Sequence, residues 1–181
     1  MLHNNARFIE RRKISLFALL AAGLIFMSAC GTGSKKDTDS SSYLGEYSYN
    51  SSMSAMVYED LDGEGEGIQY REVTDYDKLI AYSPIPVCLY FYAGLSSDTS
   101  GLTAGIEQMA EDYHDRILFV SIDAQQETEL AAHFEIEALP DFVLLDNGSW
   151  TASFSSYDKK TWTTADLEEW VAANSGKEGH L

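Results

Sequence analysis

Two thiols are the first candidates for chemistry. Cys30 and Cys88 are the only cysteines in the 181-residue chain. Protein disulfide exchange needs one thiolate to attack and a second thiol to resolve the mixed disulfide. These two lie too far apart in sequence to form a Cys-x-x-Cys pair. A histidine could act as a base or a metal ligand. His114, His133 and His180 lie beyond Cys88, and no two have the spacing of a transition-metal site. Residues Asp60 to Gly67 alternate acidic side chains with glycine and invite comparison with a calcium loop. Counted from Asp60, position six is Gly65, as an EF-hand requires, but position twelve is Arg71 in place of glutamate. The loop is therefore read as a solvated acidic turn. No metal and no cofactor is expected.

Cys30 belongs to a different pattern. Arg11-Arg12-Lys13 precede an apolar run from Ile14 to Met27, which ends at Ser28-Ala29-Cys30-Gly31. A basic patch, an apolar core too short for an ordinary spanning helix and small residues at its end read as a secretion signal. The stretch resembles the lipobox of bacterial lipoproteins, with Met27 where that pattern prefers leucine. The resemblance implies cleavage after Ala29 and a lipidated Cys30 as the first mature residue. Residues 1–29 are then the signal peptide and 30–42, rich in Ser, Thr and Gly, a flexible tether. The expected location is the extracytoplasmic face of a bacterial membrane, held there by lipid.

Charge fits that location. The chain carries a formal −17. Loss of residues 1–29 removes four basic residues and Glu10, leaving 8 basic against 28 acidic, a net −20. Such a surface repels nucleic acid and anionic lipid, so neither is an expected partner. Once Cys30 is lipidated, Cys88 is left without a disulfide partner in its own chain.

The elements that must position any site become legible from residue 68. Residues 43–67 offer Tyr43, Tyr47, Tyr49, Met53, Met56, Val57 and Tyr58 with weak periodicity, and are read as a tyrosine-rich, acidic N-terminal extension. Residues 68–73 predict a strand. A short helix follows over 75–81, with Thr74 as its cap and Asp77 completing a capping box. Val87 to Tyr92 is a near-continuous apolar run, as expected of a strand covered on both faces. A helix over 98–113 places Leu102, Ile106, Met109, Ala110 and Tyr113 on one face. A strand over 117–122, a helix over 127–134 and a strand over 142–145 come next. Asp146-Asn147-Gly148 predicts a tight hairpin turn into a strand over 150–154. The last helix spans 164–173, capped by Thr163 with Asp166 three residues on. The right-handed crossover rule joins the early strands into parallel units, and the late hairpin adds antiparallel strands at one edge. Of the tryptophans, Trp170 is expected in the core and Trp162 exposed in its loop.

This order resembles the thioredoxin family over residues 68–174, leaving 175–181 as a tail. Pro86 to Ala93 resembles the strand leading into that family's active site. Ile117 to Asp123 resembles its third strand. Glu129 to Phe142 resembles the helix, approach loop and cis-proline segment. The resemblance implies an α/β, three-layer fold with a mixed central sheet and helices on both faces. It also implies a cis bond before Pro140.

The resemblance places the redox pair at Ser96 and Thr99. Leu95 stands where the family carries tryptophan, and Tyr90 where it carries a buried acid. A hydroxyl cannot exchange with a disulfide, so the usual chemistry is excluded at these positions. Ser96, Ser97 or Asp98 serves better as a helix cap. Ser96 as a nucleophile would need an adjacent base, and none of the histidines is placed to act as one. Cys88, inside an apolar strand, reads as a core residue.

The expected function is therefore binding without catalysis. Tyr92, Leu95, Leu139, Pro140, Asp141 and Phe142 are the candidates for a groove that accepts an extended protein or peptide of the cell envelope. Two alternatives stand beside it. One is thiol–disulfide chemistry through Cys88 or a partner's thiol. The other is a structural part of an envelope assembly, using the tyrosine-rich stretch.

Overall fold

A computed structural model describes residues 40–61, 63, 65–94, 100–159 and 161–175. The expected signal peptide, Cys30, most of the tether and the tail from 176 lie outside the described residues, as do Leu95, Ser96 and Thr99. After a single 3-10 turn at Ser40–Ser42 come β1 (Leu44–Tyr47), β2 (Met53–Glu59) and β3 (Gly67–Val73). Then follow α1 (Tyr76–Tyr82), β4 (Val87–Tyr92), α2 (Ser100–Asp112), β5 (Leu118–Asp123) and α3 (Thr128–His133). The hairpin β6 (Asp141–Asp146) and β7 (Ser149–Ser155) leads to α4 (Thr164–Asn174). No helix among the described residues is long and apolar enough to cross a membrane.

The seven strands form one mixed sheet in the order β1-β3-β2-β5-β4-β6-β7. Only β4 and β5 pair in parallel; every other neighbouring pair is antiparallel. Side chains alternate between faces with the strand period of two. Val87, Leu89 and Phe91 of β4 enter one core with Val120, Ile122, Val143 and Leu145, beneath Leu79 of α1 and Leu130 of α3. Cys88 and Tyr90 enter the other with Phe119, Phe142 and Leu144, beneath Ile106 and Met109 of α2 and Leu167 and Val171 of α4. Helices therefore cover both faces, as expected.

Local signals explain the boundaries. Asn147 and Gly148 both adopt positive φ, 49° and 75°, the requirement for a two-residue hairpin turn whose twist matches its strands. Thr163 and Asp166 form the reciprocal capping box expected at α4. At α1 the cap is Asp75, whose side chain accepts from the Lys78 N–H, and not Thr74. Asp75 is one residue closer to the first turn and brings a charge that favours the positive helix end.

The stretch 43–67 requires a larger correction. It is not an appendage to the sheet: β2 lies inside it, antiparallel to β5 through Met53↔Ile122 and Met56↔Phe119. Its other edge pairs with β3. Because β2 and β5 both lie between them, β3 and β4 are not neighbours, and the crossover through α1 spans two strands. Ala55 is fully buried, and Met53 and Met56 are 7% and 3% exposed. Met53→Ala is expected to lower the unfolding free energy by about 2–5 kcal/mol, the range for large-to-small changes in a core. Urea denaturation would check this. A loss within error would return the stretch to the status of an extension.

Candidate functional site

The C-terminal end of β4 is where the sheet assembles a site. Antiparallel pairing of Phe91 with Asp141 brings Leu139 and Pro140 to the same end of the sheet as Tyr92. Parallel pairing of Tyr92 with Asp123 brings the end of β5 there as well. The Leu139–Pro140 bond is cis. Leu139 is 38% exposed, unusual for a leucine beside so much core.

The proline segment is held from behind. Trp162 donates from Nε1 to Ser156 Oγ at 3.0 Å, and Ser156 Oγ donates to the Pro140 carbonyl. The Trp162 ring packs edge-on against Phe142 and Phe154, with centroids 6.1 and 5.2 Å away. The expectation of an exposed Trp162 is thus corrected. Its half-buried indole fills the space between β6, β7 and α4, and its N–H anchors the loop behind the proline. The exposed tryptophan is Trp150, at 49%.

Asp123 organises the other side. Its carboxylate accepts from the Gln125 N–H at 3.0 Å and the Gln126 side chain at 2.7 Å, and also from the Gly94 backbone. A Cβ at Gly94 would lie 2.5 Å from Asp123 Oδ2, so only glycine permits this approach. Burial opposes ionisation of Asp123, but these hydrogen bonds outweigh it and hold the carboxyl below its usual value.

Several expected site residues are not at a surface. Phe142 is fully buried, stacked on Tyr90 with ring centroids 5.0 Å apart. Asp141 is 5% exposed, and its carboxylate accepts from Ser155 Oγ at 2.7 Å. Burial raises the Asp141 pKa, and the Ser155 hydrogen bond offsets part of that. Both residues belong to strand β6, whose two faces are committed to the cores. Both are packed into the sheet end and not exposed on it. Of the six candidates, Tyr92, Leu139 and Pro140 remain at the sheet end, and Leu95 lies outside the described residues.

Cys88 is the one described thiol. It is fully buried between α2 and the sheet, and burial alone drives its pKa well above the ordinary thiol value. A thiol so placed is protonated and unreachable. Tyr90, two residues on, is 3% exposed, and burial pushes its pKa up to about 12.

A family model described as Thioredoxin matches residues 68–173, more than half of the chain. The chain belongs to the thioredoxin family. Among curated relatives, it is 32% identical over 75 residues to Thioredoxin Y, chloroplastic, of Oryza sativa subsp. japonica, across 41% of this chain and 45% of that protein. It is likewise 32% identical over 75 residues to Monothiol glutaredoxin-4 of Saccharomyces cerevisiae, across 41% of this chain and 31% of that one. The match spans less than half the length of either relative. Among solved structures, the thioredoxin protein Deadhead of Drosophila melanogaster is 21% identical, with a TM-score of 0.47, over 54% of this chain and 88% of that one. The family match begins at residue 68 and so leaves out β1 and β2, which lie in the stretch that residue patterning reads as an N-terminal extension.

Within this thioredoxin-family domain, part of the acid sensitivity should trace to Asp123. Its depressed pKa means that its contribution is present above the unfolded value of about 4 and is lost as pH falls through the lower folded value. Asp123→Asn is expected to cost about 1.5–3 kcal/mol at pH 7, the range for hydrogen bonds to a charged group. The difference between the two proteins should shrink below about pH 4. Urea titrations at pH 7 and pH 3 would measure it.

Proposed function

We propose that this protein is a lipid-anchored, extracytoplasmic member of the thioredoxin family that recognises an extended protein segment and does not exchange disulfides. One observation carries the reading. The only cysteine of the domain is sealed in the core, while Leu139, beside the cis peptide bond, stays exposed. The recognition end of the fold is kept and the thiol chemistry is not.

The physics of such binding is strand addition. A partner segment would lie beside Leu139 and pair with main-chain groups there, and side chains would fill pockets on alternate positions. Tyr92, half-buried at the end of β4, supplies apolar contact, and Leu95, three residues further along the chain, adds another apolar side chain. The net charge of −20 left after loss of residues 1–29 favours a neutral or basic partner. Cys30 as the lipidated residue explains how so acidic a domain stays at a membrane, since electrostatics would not hold it there.

The relatives named thioredoxin and monothiol glutaredoxin support a second reading, in which Cys88 works alone or with a partner's thiol. Cys88 would first have to leave the core of β4, where its backbone pairs with Phe119 on one side and Leu144 on the other. That requirement disfavours it.

Site-specific photocrosslinking in membranes separates the readings. Crosslinkers at Leu95 and Leu139, with a control at Glu168 on α4, would be resolved by mass spectrometry. The same discrete protein captured at both groove positions and absent at the control is the expected result. Capture only at the control position would refute the groove.

A further inference from the structure

We infer that a second site, adjoining the Leu139–Pro140 edge and sharing Tyr92 with it, binds a compact organic cation with a primary ammonium group. The site is a cavity of about 250 Å³ between α2 and the sheet. Its origin lies in two small residues. Ser54 of β2 and Ser121 of β5 are cross-strand partners on the face that α2 covers. Tyr90 of β4 pairs with Ser121 from the other side. Where neighbouring rows fill this layer with Phe119, Met56 and Cys88, two serines leave a gap beneath the helix.

The walls of the gap are aromatic and acidic. Tyr49, Tyr70, Tyr90 and Tyr92 all line it. Tyr49 and Tyr70 lie 5.1 Å apart at 47°, and Tyr90 and Tyr92 lie 5.5 Å apart at 27°. Glu107 of α2 faces the same space and accepts from the Tyr70 hydroxyl at 2.8 Å through Oε1. A carboxylate has further acceptor sites. No lysine or arginine is among the lining residues. Ring faces are electron-rich, and aromatic cages beside a carboxylate are a known solution for ammonium groups.

A second observation points to a ligand. The Tyr90 hydroxyl is buried and has no hydrogen-bond partner among the described residues. The Thr103 hydroxyl lies near enough to lower the Tyr90 pKa, the smallest of the influences on it, yet the two do not meet hydrogen-bond geometry. A buried hydroxyl left unmatched is costly, and native proteins seldom leave one without a reason. An ammonium donates to the Tyr90 oxygen, places its charge among the rings and pairs with Glu107. The volume falls below the roughly 300–1,000 Å³ of drug-sized sites, which restricts the occupant to a few heavy atoms or a side-chain tip. A free alkylamine and a lysine side chain share that chemistry.

The test uses the full chain in a neutral maltoside detergent, read by backbone amide shifts at Thr103, Ser121 and Tyr92. Probes are n-butylammonium, its neutral counterpart 1-butanol, and the peptide acetyl-Gly-Lys-Gly-amide. Butylammonium is expected to bind at least about tenfold more tightly than 1-butanol, the order of one cation–π contact plus a charge pair. Glu107→Gln keeps the acceptor for Tyr70 and removes only the charge; it should weaken binding about tenfold. Tyr90→Phe keeps the ring and should weaken it about threefold to tenfold. Tighter binding of the lysine peptide than of butylammonium assigns the source to a protein side chain; the reverse assigns it to a free amine. Equal binding of butylammonium and 1-butanol, or no shifts at these amides, overturns the inference.

Discussion

Burial of the central strand on both faces is the constraint on which the rest depends. β4 is flanked by β5 and β6 and covered by helices above and below, so no side chain from Val87 to Phe91 reaches solvent. Every residue there is committed to packing, and a change of a single methylene would be felt. That commitment makes Cys88 a small hydrophobe in effect. It also leaves thiol chemistry no access before the strand leaves the cores at Tyr92.

The proposed recognition without disulfide exchange rests on features that lie outside that buried strand. The cis peptide bond, the Ser156–Trp162 anchor and the Asp123 cluster are main-chain and packing features. None of them needs a thiol.

Legibility followed the strength of local pattern. β4, β5 and β6 read clearly as apolar runs, and Asn147-Gly148 marked its turn by residue type alone. β2 did not read as a strand. Met53-Ser54-Ala55-Met56 mixes small and polar residues with few β-branched ones, and its burial comes from pairing with β5, far along the chain. Trp162 reads as an exposed loop residue because its partners, Phe142, Phe154 and Ser156, meet only in the fold. Phe142 and Asp141 follow the cis proline directly, yet strand alternation turns both inward. The cavity beneath α2 had no signal in any one segment. It results from missing volume at Ser54 and Ser121, which only sheet register brings together.

The most direct measurement of the central claim is thiol exchange at Cys88 itself. The native full chain would be held with mixed reduced and oxidised glutathione, and the peptide bearing Cys88 followed over time by mass spectrometry. The expected result is no mixed disulfide at Cys88 until denaturant opens the core. Rapid glutathionylation of Cys88 in the folded protein would contradict the claim and restore thiol chemistry as the function.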